Sequence, residues 1–148
     1  MRQNAGFTVF ELLIVIAIAG VLTAIAVPNF LGYQYSYRLK GAISTLRGDL
    51  YGTKMLAIKR GVQYKVVFTA DGYQIQRGTS SSGTFTLDQT EITRNFADEY
   101  PGVTADTAAT ANPVFSPRGT ATPVTITLKT SQKSQTITIS LAGRIKVN

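Results

Sequence analysis

Sixteen consecutive residues, Leu12–Val27, carry neither a charged nor an amide side chain, and a single carboxylate, Glu11, stands at their head. Over the 25 residues from Phe7 to Leu31 it is the only formal charge. At 1.5 Å rise per residue a helix of that length measures about 37 Å, enough to cross a hydrocarbon core of roughly 30 Å even with tilt. Arg2 places the N-terminus on the cytoplasmic side, and no second run of this kind follows. One pass is expected, with the rest of the chain outside the cytoplasm. The same features also describe a secretory signal peptide: a basic start, an apolar stretch, and Ala24-Ile25-Ala26 before Val27 as a site for cleavage after Ala26. Glu11 weighs against that reading, because a carboxylate inside an apolar segment costs at least about 2.5–3.5 kcal/mol and normally marks function.

Composition narrows the chemistry. With no Cys and no His among 148 residues, disulfide scaffolds, thiolate or imidazole metal sites and His-dependent nucleophiles are all removed. No catalytic residue, metal, cofactor or small-molecule substrate is expected. Lys and Arg outnumber Asp and Glu by 15 to 8, and a net charge of +7 favours polyanions or anionic lipid as partners.

The segment Gly6-Phe7-Thr8-Val9-Phe10-Glu11-Leu12-Leu13-Ile14-Val15-Ile16-Ala17 resembles the processing site and stem of type IV prepilins and type II secretion pseudopilins. The resemblance implies cleavage by a prepilin peptidase after Gly6, N-methylation of Phe7, and retention of Glu11 in the stem. Cleavage would create an ammonium at Phe7, and a carboxylate in apolar surroundings is tolerable when paired. Glu11 could meet that ammonium in its own chain or in a neighbouring subunit; the resemblance favours the neighbour, which makes the pair an assembly register. Two departures stand out: Arg2 is the only basic residue of the leader, and Val9-Phe10 replaces the usual aliphatic pair.

Pro28 removes a helical donor and is expected to kink the helix, as the proline at the matching position does in pilin-like proteins. An apolar stripe then resumes at Leu39, Ile43, Leu46, Leu50 and Ala57, with Thr53 filling the gap, and Gly61 after Lys59-Arg60 gives a stop. The helix is expected from about Phe7 to Arg60, its second half packed on a sheet. Beyond it the period becomes two: Val62, Tyr64, Val66 and Phe68, a turn at Asp71-Gly72, then Tyr73, Ile75 and Arg77, a hairpin. Gly78–Gly83 reads as a Ser-rich loop whose glycine spacing mimics a phosphate loop, but Thr84 stands where Lys is required. Residues 83–112 hold five acidic side chains (Asp88, Glu91, Asp98, Glu99, Asp106) against Arg94 and read as a variable excursion with one or two short strands, solvated rather than cation-binding.

Val124, Ile126 and Leu128, then Ile137, Ile139 and Leu141, alternate with polar residues around Ser131–Gln135, a second hairpin. This hairpin, with Asn112-Pro113-Val114-Phe115-Ser116-Pro117-Arg118-Gly119 before it and Gly143-Arg144-Ile145-Lys146-Val147 after it, is similar to the C-terminal signature of the GspH/FimT branch of minor pilins and pseudopilins. Read as one strand, Ile137 to Val147 keeps its odd-numbered residues inward and puts Arg144 and Lys146 together on the other face, roughly 6–7 Å apart. From Pro113 onward Arg118, Lys129, Lys133, Arg144 and Lys146 face no acidic residue in sequence. In FimT-like members a glycine-arginine motif at this place is associated with DNA capture in natural transformation, which Gly143-Arg144-Ile145-Lys146 resembles with Lys for the second Arg. The competing reading is that terminal cations blunt an edge strand and keep the head soluble.

The expectation is an α+β, pilin-like chain: residues 1–6 a leader, 7–31 a transmembrane and filament-core helix, and 32–148 a periplasmic head that includes the amphipathic half of the helix and a small antiparallel sheet. It is read as a substrate of prepilin peptidase rather than an enzyme, a single-pass inner-membrane subunit whose partners are other pilins or pseudopilins at a filament tip, with DNA as a further partner. The alternatives are a type II secretion tip pseudopilin without DNA binding, or a secreted soluble protein cut after Ala26.

Overall fold

The computed structural model describes residues 7–81, 84–107 and 111–148, and of residues 27–31 and 81 the backbone alone. The expected leader, with Arg2 and Gly6, lies outside the described residues, as does the side chain of Pro28 and with it the expected kink. The chain divides into two compact units, Met1–Gln34 and Tyr35–Asn148. Helix α1 (Val9–Arg60) begins in the first and continues in the second, so it does not end at Pro28.

In the first unit α1 is apolar on every side, and none of Val9–Ala26 is buried. A helix with no polar face has no internal reason to choose an orientation against a core; it is built for an apolar surrounding. In the second unit the expected stripe faces inward: Leu39, Ile43, Leu46, Leu50 and Ala57 are all buried, and Thr53 between them satisfies its hydroxyl by donating to the Asp49 carbonyl at 2.6 Å. Gly61 ends the helix in the left-handed region (φ 68°), donating its N–H to the Ala57 carbonyl, a conformation that a side chain at this position would strain.

Two four-stranded antiparallel sheets pack with this half of the helix around one core. The first has the order β3-β2-β1-β5, from β1 (Gln63–Thr69), β2 (Gly72–Ser81), β3 (Thr84–Asn95) and β5 (Val114–Phe115). Along β1, Tyr64, Val66 and Phe68 point inward as the alternation requires, and Thr69 pairs with Gly72 across an Ala70-Asp71 turn, one residue earlier than the sequence suggests. The second sheet has the order β4-β6-β7-β8, from β4 (Thr104–Ala105), β6 (Val124–Lys129), β7 (Ser134–Ile139) and β8 (Ile145–Val147). The Ala121 N–H donates to the Leu141 carbonyl at 3.0 Å, a main-chain link from the connection after β5 to the turn after β7.

Three expectations are corrected. Gly78–Ser81 is strand, not loop: β2 runs through it, paired with the first residues of β3. The acidic excursion opens on a 12-residue strand, β3, rather than a short one, followed by the short helix α2 (Phe96–Glu99), which Asn95 caps by accepting the Ala97 N–H. The stretch from Ile137 to Val147 is not one strand but β7, a turn and β8, with Ile139 opposite Ile145. In that turn Leu141 is 66 % exposed rather than inward.

Candidate functional site

The head of the stem is built locally. Thr8 precedes α1, and its side-chain oxygen accepts the Glu11 N–H at 3.2 Å while its carbonyl accepts the Leu12 N–H. Thr8-Val9-Phe10-Glu11 is thus a helix start of the Ser/Thr-x-x-Glu type, a pattern legible in the sequence itself. Glu11 lies in the first turn, where the helix dipole favours a carboxylate. That carboxylate has no partner among the described residues, and Phe7 beside it is exposed.

The second cluster of interest is at the C-terminus. The turn Ser140–Gly143 is closed by Gly143 N–H to the Ser140 carbonyl (2.8 Å) and Ser140 N–H to the Arg144 carbonyl (3.0 Å). Gly143 takes φ 68°, and a Cβ there would run into the Gly119 carbonyl and the Lys54 side chain, so both conformation and space demand glycine before Arg144. From α1, Lys54 donates to the Gly143 carbonyl at 2.9 Å and Tyr51 donates its hydroxyl to the Ile145 carbonyl at 3.2 Å. These two helix residues fix the hairpin that carries the cations.

Arg144 and Lys146 flank the buried Ile145, and both are exposed. With Thr138, Ser140 and Asn148 they line a concavity of about 350 Å³. Arg144 and Lys146 therefore share one face as expected, although a turn rather than a continuous strand leads into them. Lys133 lies in an adjoining concavity that also includes Asn148. Lys129 and Arg118 line neither. Lys129 pairs with Thr104 on the far side of the sheet and stands 3.9 Å from Asp106; Arg118 sits in the Ser116–Gly119 turn.

The acidic residues are mostly spent on cations within the head. Glu91 accepts from Arg60 and from the buried Tyr64 hydroxyl, Asp88 accepts from Arg77, and Glu99 accepts from Arg94. Asp49 on α1 takes the Tyr73 hydroxyl at 2.7 Å and Arg94 Nε at 3.1 Å. Burial, reinforced by that hydrogen bond, raises the Tyr73 phenol well above its ordinary value, and the hydrogen bonds to Asp49 and Glu99 hold Arg94 more firmly protonated. Among the described residues no three potential ligands converge on a metal position.

Residues 42–143 match the family model described as "Type II transport protein GspH", and residues 1–27 match the "Prokaryotic N-terminal methylation motif". The chain belongs to the GspH family. The fold agrees: the type IV minor pilin FimU of Pseudomonas aeruginosa superposes with a TM-score of 0.59 over 78 % of this chain and 92 % of that chain, at 18 % identity. The minor pseudopilin EpsH of the Vibrio cholerae type 2 secretion system gives 0.58 over 75 % and 96 %, at 14 % identity. In sequence, a fimbrial protein of P. aeruginosa is 33 % identical over 104 residues, covering 59 % of this chain and 68 % of that protein. The type IV major pilin PilA of Myxococcus xanthus is 36 % identical over 76 residues, 51 % of this chain, which spans about a third (34 %) of PilA's length. GspH-family chains are pilin and pseudopilin subunits, structural proteins rather than known enzymes.

Proposed function

We propose that this chain is a minor pilin or pseudopilin, cut after Gly6 by a prepilin peptidase, N-methylated at Phe7, held in the inner membrane by its first helical half and incorporated at the tip of a type IV pilus or type II secretion pseudopilus. The observation that carries this is the stem: Val9–Ala26 is not buried by the described residues and bears one carboxylate, Glu11, at its head, without a partner among them. An apolar surface of this length needs lipid before assembly and other subunits after it. The carboxylate in turn needs a cation in that setting, which the Phe7 ammonium of a neighbour supplies. Glu11→Ala is expected to be processed yet to fail to enter filaments, read by mature N-terminal sequencing and by immunoblot of sheared filaments. Normal incorporation would remove the role given to Glu11, and a mature N-terminus at Val27 would restore the secreted-protein reading.

A second activity is favoured by the concavity that unites Arg144 and Lys146 with hydroxyl and amide side chains: DNA binding by the head, as the sequence resemblance to FimT-like chains implies. Without it, the chain reads as a secretion-system tip subunit. Arg144→Ala with Lys146→Ala is expected to lose DNA while still entering filaments.

A further inference from the structure

The Arg144 and Lys146 concavity does not end at β8. Asn148 is shared with a concavity of about 300 Å³ that includes Lys40 and Lys133. Lys40 and Gln135 are shared in turn with one of about 270 Å³ that includes Arg47. The last two lie along the seam between α1 and the second sheet, whose edge strand is β8, while the first lies on the outer face of that sheet and meets them at Asn148. Five cations line them, all exposed, and no acidic side chain does. None of the five takes part in the ion pairs of the described residues, which engage Arg60, Arg77, Arg94 and Lys129 instead. Lys40 and Arg47 are seven residues apart, about two helical turns, and so stand in one column on the flank of α1. The bonds from Tyr51 and Lys54 to the β8 hairpin continue that flank and keep the column beside the strand. Arg47 is itself steadied over the Tyr51 ring, 5.7 Å from its centroid.

Resting on the DNA reading above, we infer that a nucleic-acid phosphate backbone follows this band, from Arg144 and Lys146 past Asn148 and Lys133 to Lys40 and Arg47. The surface is grooved and carries Thr138, Ser140, Ser134, Gln135 and Ser44 between the cations, donors suited to phosphate oxygens. A face for anionic lipid would instead project apolar or aromatic side chains toward the bilayer around its cations. Here the apolar lining, Leu39, Ile43 and Val147, is buried or half-buried at the floor. A polyanionic strand can enter such a groove, whereas a flat headgroup layer meets only its rims.

The test uses the full chain in non-ionic detergent and a fluorescein-labelled 20-nucleotide single strand, with anisotropy read between 50 and 200 mM salt. Lys40→Ala with Arg47→Ala is expected to weaken binding and to flatten the dependence of log K on log salt by about 1.4, two contacts at about 0.7 each on a single strand. Lys40→Arg with Arg47→Lys keeps the charge and should keep the slope. Wild-type affinity and slope in the double alanine variant, with binding lost in Arg144→Ala, Lys146→Ala, would confine the contact to β8 and overturn the band while sparing the DNA reading. No binding by the unmutated chain at 50 mM salt would overturn the DNA reading itself. Binding to phosphatidylglycerol vesicles but not to the oligonucleotide, lost in Lys40→Ala, Arg47→Ala, would reassign the band to a lipid surface.

Discussion

The two parts of α1 use the same residue types to opposite ends. Leu12, Leu13, Ile14 and Ile16 are more than two-fifths exposed, while Leu39, Ile43, Leu46 and Leu50 are buried. What separates them is periodicity: before Pro28 apolar residues fill every face, and beyond Arg38 they recur every three or four residues with charges between. Hydrophobic content alone therefore does not mark a core, and the phase of the pattern decides whether a side chain is owed to this chain's own sheets or to something outside it.

The sharpest way to break that comparison is a matched pair of truncations. Leu50→Ala should cost the head about 2–5 kcal/mol, as large-to-small changes in a closed core do, while Leu13→Ala should leave its melting temperature unchanged. Equal losses in thermal melts of the full chain in detergent would mean that the stem supports the head after all.

A smaller effect concerns pH. Tyr73 is protonated in both states below its ordinary value near 10, so its contribution is complete there. As pH rises past that value the unfolded chain gives up the proton and the buried phenol does not. Stability then falls, by up to about 1.4 kcal/mol per pH unit for this one group. Urea midpoints from pH 8 to 11 should drop more steeply for the unmutated chain than for Tyr73→Phe. Parallel curves would refute the assignment.

The smallest effect belongs to the stem. Thr8→Val removes the cap acceptor and should cost about 0.5–2 kcal/mol of local helix stability. Faster amide exchange at Val9–Leu12 with an unchanged head melt would confirm that the two parts of α1 are stabilised independently.

The buried half of α1 was legible because a helix packed on a sheet must repeat its apolar residues on one face, and Leu39 to Ala57 do so. β3 was not. As an edge strand it is exposed over most of its length on both faces, so no alternation survives to announce it. Gly78 and its serines read as a loop by composition, yet a Cβ at Gly78 would meet the Thr86 carbonyl and the Phe85 ring, so the glycine permits close strand pairing. Parity carried the last strand across an undetected turn: Ile139 pairs with Ile145 six residues later, an even number, so Ile145 stays inward although Leu141 does not. Arg144 and Lys146 are near neighbours in sequence, whereas nothing in the sequence ties Lys40 and Arg47, two turns apart on α1, to them; the packing of β8 against the helix does.

The polar ties between α1 and the rest of the head are spread along the helix: Thr45 to the Tyr100 hydroxyl, Asp49 to Tyr73 and Arg94, Tyr51 and Lys54 to the β8 hairpin, and Arg60 to Glu91. A pull along the helix axis from its N-terminal side therefore strains these fasteners together, in shear, instead of opening them one after another. A head tied in this way resists detachment by sharing load, and its mechanical strength exceeds what any single bond in the series suggests.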